Sequence, residues 1–237
     1  ASGSDVACHV AQLVLLDSDF SAMKSVVMEG RRVINNIERS AALFLVKNIF
    51  SFTMTLLALL FALSYPMTPS QLTLFNMMFI GIPSFVLALE PNAARVKGGF
   101  MSNVLLNALP AGLTDLLAVL AVVVFGEKLA LTPDEISTMS TIVLAFVGLL
   151  MLVKVSRPFN AIRKALAASM TACFALGAVI LREPFNMSAL SGRAALMLAA
   201  VCLASVPVVM ALSFAARSAR ARLPGKVARR RPRRVRV

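Results

Sequence analysis

The chain has 237 residues, 59% of them hydrophobic, and a mean hydropathy of +0.83, yet its formal net charge is +13. Roughly a quarter of the residues of a soluble domain are charged; here the share is 15%, with 24 Lys or Arg against 11 Asp or Glu. The apolar majority excludes a soluble globular domain and a disordered chain, and a basic nucleic-acid-binding protein would account for the charge alone. A polytopic membrane protein with basic flanks accounts for both, so the lipid bilayer is an expected partner and nucleic acid is not.

The first 40 residues show no short apolar stretch behind a basic start, so no signal peptide is expected. Gln12–Leu16 is a short apolar run ending in Asp17-Ser18-Asp19, a pattern that predicts a buried strand followed by a helix N-cap. Asp5, Asp17 and Asp19 read as turn or capping residues. From Phe20 onward the spacing of Met23, Val26, Val27, Gly30, Val33, Ile34 and Ile37 is helical. No Pro intervenes before Pro66, so this helix can continue into the bilayer as a stalk that transmits rigid-body motion. A lone strand needs a parent sheet, and the chain contains no other strand pattern to supply one.

A bilayer core takes about 20 mostly apolar helical residues. Six windows qualify: Ala41–Tyr65, Gln71–Leu89, Met101–Phe125, Ser137–Val155, Lys164–Leu181 and Ala194–Phe214. Pro66, Pro69, Pro91, Gly98-Gly99, Pro133, Arg157-Pro158 and Glu183-Pro184 punctuate the connections. With both termini on the cytoplasmic side, that side collects Lys24, Arg31, Arg32, Arg39, Arg95, Lys97, Lys154, Arg157, Arg163, Lys164 and ten basic residues after Ala216. The opposite side holds only Lys128, Arg182 and Arg193, which is the positive-inside asymmetry.

Within the spans a few polar residues carry chemistry. Gly81 and Pro83 should interrupt their helix, because Pro removes a donor and blocks a helical carbonyl. Carbonyls freed in this way can coordinate a cation. Asn76 lies about one and a half turns earlier, and Asn48 and Ser51 stand at a similar depth in the preceding span. The alternative is a Pro kink packed by Gly, with amides joining helices. Asp115 is the only carboxylate well inside any span, suited either to a proton or cation or to a structural hydrogen-bonded role. Asn103, Asn107 and Thr114 share a helix face, with Asp115 about 100° away from it. Lys47 either snorkels to the cytoplasmic surface or acts as a built-in counter-charge, with Asp115 as a possible partner. The 13 Met residues scatter as packing material. Cys8, Cys173, Cys202 and His9 form neither a disulfide framework nor a zinc site, and no metal-ligand set is assigned.

The run from Ser2 to Ser40 resembles the end of the phosphorylation domain of P-type cation-transporting ATPases, a HAD-like domain. The family's Gly-x-Ser/Thr-acidic-Val-Ala segment, Val-Leu-Leu-Asp strand and Gly-Arg…Asn-Asn stalk helix have counterparts at Gly3–Ala7, Val14–Asp17 and Glu29–Asn36. The resemblance continues through the six spans to about Phe214; these match the fifth to tenth helices of a ten-helix pump, which argues against the heavy-metal branch. Within the family the likeness is to a bacterial group of calcium or other cation pumps. It is carried by Ile80-Gly81-Ile82-Pro83 and Leu87-Ala88-Leu89-Glu90-Pro91-Asn92, with support from Phe44-Leu45-Val46-Lys47-Asn48.

The resemblance implies a mostly α polytopic membrane protein with six transmembrane helices, preceded by a short strand–helix remnant of the phosphorylation domain. The divisions are 1–19 for that remnant, 20–40 for the stalk helix, 41–216 for the membrane domain and 217–237 for a basic cytoplasmic tail. It implies a coupling role for the stalk at Gly30, Arg31, Asn35 and Asn36. A cation path would draw on Asn48, Ser51, Asn76, Gly81, Pro83 and Asp115. Two departures weigh against a standard calcium site. Calcium and sodium branches place an Asp before the Gly of Gly-x-Pro, where this chain has Ile80, and a Glu three residues after the Asn of the preceding span, where it has Ser51.

The family's Asp-Lys-Thr-Gly-Thr, Gly-Asp-Gly-x-Asn-Asp and Thr-Gly-Glu motifs are absent from this sequence. The chain by itself is therefore expected to have no catalytic residues, no cofactor and no ATP hydrolysis, since phosphoryl transfer depends on those groups. The expected function is the membrane part of an ATP-driven cation transporter of the bacterial plasma membrane. The parent pump would need ATP and magnesium, its missing N-terminal part, and calcium, magnesium or another cation to transport. The rivals are an independent six-helix secondary transporter or channel, and a membrane anchor whose basic tail binds lipid.

Overall fold

A computed structural model describes residues 4–15, 19–96, 98–157 and 159–222. Gly3, Leu16, Asp17, Ser18, Lys97, Pro158 and most of the basic tail (223–237), all named above, lie outside the described residues. The elements are α1 (Asp5–Val10), α2 (Ala22–Phe61), α3 (Pro69–Asn76), a π-helical turn (Met77–Gly81), α4 (Ile82–Leu89), α5 (Phe100–Lys128), α6 (Pro133–Val155), α7 (Ala161–Ile180) and α8 (Gly192–Arg222). The chain is a mostly α, multi-pass membrane protein: six helical segments are long and apolar enough to span a bilayer, with α3, the π turn and α4 together forming the second.

The strand expected at Gln12–Leu16 is not formed at the described positions 12–15, which are irregular. A strand with no neighbour leaves its backbone groups unpaired. Helix α1 lies just before it, with Ser4 accepting from the Ala7 amide at its N-cap. Asp19 does serve a turn: it accepts from the Ser21 amide and hydroxyl, both at 2.8 Å, which hold its carboxyl below the usual range.

The segment expected to form the stalk and the first span form one unbroken helix of 40 residues, about 60 Å long at 1.5 Å per residue. The second difference from expectation lies at Gly81 and Pro83, where the helix widens instead of breaking. The Ile82 amide bonds to the Met77 carbonyl, five residues back, through the π turn. Pro83 then falls in the first turn of α4, where a missing N–H is least costly. The extra residue in the turn keeps the backbone bonded while making room for the ring.

Helix α5 forms the centre, touching α2, α6 and α8, with α2 its most extensive neighbour. Small residues set that crossing. A Cβ placed on Gly112 would lie 2.9 Å from the Ile49 side chain and 3.0 Å from the Val46 carbonyl oxygen. Gly148 of α6 similarly admits the Phe75 ring, at 2.8 Å from such a Cβ. The main core joins Val46, Phe50, Phe75, Phe79, Ala108, Ala111, Leu144 and Met151 across five segments. A second cluster links α5 and α6 to α8 through Val122, Met139 and Ala194.

Because the obstacle at Gly112 includes backbone, the substitution Gly112→Val should lower stability by ~1–3 kcal/mol. A Cβ placed on Gly30 would have nothing within 4 Å, so Gly30→Ala should raise stability by up to ~1 kcal/mol through helix propensity. Thermal unfolding of both variants in detergent checks the pair.

Candidate cation path and stalk junction

Helix α4 ends at Leu89, with Glu90 in extended conformation instead of a reversing cap. Such an end leaves carbonyls without intrahelical donors. Helix α2 supplies them. Asn36, 3% exposed, donates through Nδ2 to the Ala88 oxygen at 2.9 Å and the Glu90 oxygen at 2.8 Å. Arg32 donates to the Leu89 oxygen at 3.1 Å; Ser40 adds a bond to the Ser84 oxygen, further back within α4, at 3.2 Å. Asn35 continues into the loop, donating to the Asn92 and Ala94 oxygens at 3.0 and 2.8 Å. Of the stalk residues singled out in the sequence, Asn35 and Asn36 thus meet the end of α4 and the loop after it. Arg31 is half-buried and Gly30 exposed, and neither joins this set.

Sequence reasoning missed the charge beneath this junction. The Glu90 carboxylate accepts from Arg163 Nε at 2.7 Å and from the Asn160 amide, and Arg39 Nη1 lies 3.6 Å away. Glu90 and Arg163 side chains are each only 7% exposed. Arg163 also donates to the Ser156 carbonyl at 3.2 Å, and Asn160 caps α7 through the Arg163 amide. One carboxylate therefore gathers α2, the loop after α4 and the start of α7. The available signal was an acid directly after an apolar span, in a chain whose basic residues crowd that same side.

The candidate residues inside the membrane are less gathered. Asn76 immediately precedes the π turn, and its Oδ1 is buried with no hydrogen-bond partner among the described residues. Gly81 closes the turn, its Cβ position 3.5 Å from the Asn76 carbonyl oxygen, and Pro83 is buried just beyond. The turn packs against α2, which carries Asn48 and Ser51. Asn48 is exposed; Ser51 is half-buried, beside the Tyr65 hydroxyl. Asp115 is 0% exposed, and neither of its oxygens has a partner among the described residues. Lys47 is half-buried, and no ion pair joins it to Asp115. Asn103 and Asn107, expected to share a face with Thr114, lie toward the stalk side: Asn103 donates to Glu38, while Thr114 donates to the Pro110 carbonyl at 2.7 Å.

The opposite end of the bundle is closed by another group that went unread in the sequence. Gln71 is wholly buried. Its Oε1 accepts from the Thr68 amide, Ser137 and Thr141 at 3.1, 2.7 and 3.1 Å, and its Nε2 donates to the Asn186 oxygen at 2.8 Å. Both ends of the amide are engaged, so this hub is structural and offers no free ligand.

No family model matches the chain. Curated proteins do. A probable cation-transporting ATPase, exp7, of Streptococcus pneumoniae is 35% identical over 168 residues, covering 68% of this chain and 22% of that protein. The calcium-transporting ATPase CtpE of Mycolicibacterium smegmatis is 37% identical over 173 residues, covering 67% and 22%. CtpE of Mycobacterium bovis is 35% identical over 212 residues, covering 79% and 26%. The chain belongs with the P-type cation-transporting ATPases, as the counterpart of part of their membrane region. It spans about a quarter of the length of the relatives it matches.

Removing Glu90 would take from the buried Arg163 guanidinium, and from the half-buried Arg39 beside it, the carboxylate they share. Glu90→Ala should therefore lower stability by ~3–5 kcal/mol, and the double variant Glu90→Leu/Arg163→Met should regain most of that loss. Denaturation of the single and double variants in detergent measures the difference.

Proposed function

We propose that this chain is the cation-conducting and coupling part of an ATP-driven cation pump. It would act with a phosphorylation domain whose motifs this sequence does not carry. The observation that carries the reading is the grip of the stalk on the end of α4. Asn36 and Arg32 tie a helix that leaves the membrane to the end of the segment holding Asn76 and the π turn, and Asn35 ties it to the loop that follows. A displacement of the stalk would therefore be delivered to that segment as a rigid-body motion.

The cation path runs by the π turn, where the buried, unpartnered Asn76 oxygen is a ready ligand. Gly81 and Pro83 shape the turn, and Asn48 and Ser51 add neutral oxygens from α2. Asn48 is a polar side chain exposed on a spanning helix, which suits contact with further membrane helices of a pump. Calcium, magnesium or another cation is the substrate class. The relatives named for calcium favour the first, while Ile80 and Ser51, where acids would stand, leave the site with few charges. Lys47 would supply a fixed positive charge beside it. The pump would use ATP and magnesium in its phosphorylation domain. The excess of basic residues at the stalk end of the bundle supports a cytoplasmic placement of both ends of the chain, and the bacterial relatives support the plasma membrane.

In the complete pump carrying this membrane part, cation-stimulated acyl-phosphate formation should be seen, and Asn76→Ala should raise the half-saturating cation concentration about tenfold, ~1.4 kcal/mol. Phosphorylation measured against each cation is the test. Absence of stimulation by every cation would sink the pump reading, and an unshifted Asn76→Ala would remove that residue from the path.

A further inference from the structure

Asp115 stands apart from the rest of the membrane region. It sits midway along α5, on the face that carries Ala108, Ala111 and Val119 into the main core. Its exposure is 0%, and both oxygens are buried without a hydrogen-bond donor among the described residues. The other buried acids have donors: Glu90 meets Arg163 and Asn160, and Glu135 accepts from Thr132 and Ser191.

The charged groups on the helices around it are accounted for. On α2 the only charge within the apolar stretch is Lys47, which makes no ion pair among the described residues. On α6 it is Lys154, near the stalk end, which donates to Ser213 and the Asn107 carbonyl. On α8 the charges are Arg193 at one end and Arg217, Arg220 and Arg222 at the other.

An ionised carboxylate in this position would be a buried charge with no compensation, the most costly state available to it. A metal ion would remove the charge but needs several oxygen ligands around it. No group of three or more His, Cys, Asp or Glu residues that could hold a metal occurs among the described residues, and Asp115 does not line the apolar cavity that its neighbours Thr114, Leu117 and Ala118 border. A proton needs neither additional ligands nor a cavity.

We propose that Asp115 is a proton-binding site in the membrane region, held as the neutral acid at neutral pH while it lies buried and unpartnered against the core. No donor among the described residues holds the carboxylate form where Asp115 now lies, so the proton is poised to leave when a shift of α5 brings water or a donor to the carboxyl. Binding is a simple proton transfer: a hydronium ion gives its proton to one carboxylate oxygen and becomes water, and on release a water molecule accepts the proton. This deepens the pump reading and rests on it only for the use made of the proton.

The test is infrared spectroscopy of the full chain in lipid nanodiscs, with aspartate labelled by carbon-13 at the side-chain carboxyl. Of the other aspartates, Asp5, Asp19 and Asp134 are exposed and should contribute only carboxylate bands at pH 7. An isotope-shifted carboxylic-acid carbonyl band at pH 7, lost in Asp115→Asn and kept in Lys47→Met, is the expected result. Asp115→Asn, which resembles the neutral acid in shape, should leave the melting temperature unchanged. Absence of the acid band from the labelled wild-type chain overturns the proposal even if the variants fail to fold. So does a band that persists in Asp115→Asn. The band is read without ATP or transport, so its absence would leave the pump reading standing. A band present in a pump that no cation stimulates would do the reverse.

Discussion

A helix that ends against other protein, away from water, must find donors for its last carbonyls, and much of this molecule follows from how α4 finds them. The donors are two side chains of α2, Asn36 to the Ala88 oxygen and Arg32 to the Leu89 oxygen, while Ser40 bonds Ser84 further back in α4 and Asn35 bonds the loop that follows. Their spacing sets the height of α4 against α2, and with it the level at which the π turn and Asn76 sit in the membrane. Glu90 adds charge to this geometry by drawing in Arg163 from α7. Asparagine suits the task because its amide offers two donors on a short stem. Lysine would bring an unneeded charge, and leucine would leave the carbonyls unpaired.

The bundle holds that arrangement in place by close contact. Backbone approaches backbone where Gly112 crosses α2, and an aromatic ring fills the space above Gly148. Neither contact is a hydrogen bond, yet both fix the relative position of helices as firmly as packing allows. The two ends of the bundle are treated differently. At the stalk end ion pairs join the elements; at the other end the buried Gln71 joins α3, α6 and the loop before α8 through neutral groups, and the Glu135 carboxylate adds a bond from the Ser191 amide.

Much of this was legible in the sequence because it is written in composition. Spans of about 20 apolar residues and basic residues gathered to one side need no tertiary information, and the unbroken passage from stalk to span followed from the absence of proline. Asn35 and Asn36 drew notice through family likeness, but the carbonyls they bind could not be read from the sequence. What escaped depends on distances across the fold. Glu90 and Arg163 are 73 positions apart in sequence, and nothing in either neighbourhood announces the other. The strand reading at Gln12–Leu16 failed at its described positions because a local apolar run says nothing about whether a sheet is present to receive it. The Gly81 and Pro83 reading was right about an irregularity and wrong about its kind: a proline can be accommodated by widening a turn as well as by breaking one.

That widened turn has a mechanical meaning. A π turn holds one more residue than the α-helix around it, so it stores a single residue of slack in the middle of a membrane span. Tightening it to α geometry would rotate one flanking segment against the other by about 100° and shift it by about 1.5 Å along the axis. Helix α4 is held at its far end by the stalk, so the turn and its anchor together form a screw with one end clamped. Under the proposed coupling, motion of the clamp and rotation of the thread would be the same event, with Asn76 at the point where the pitch changes.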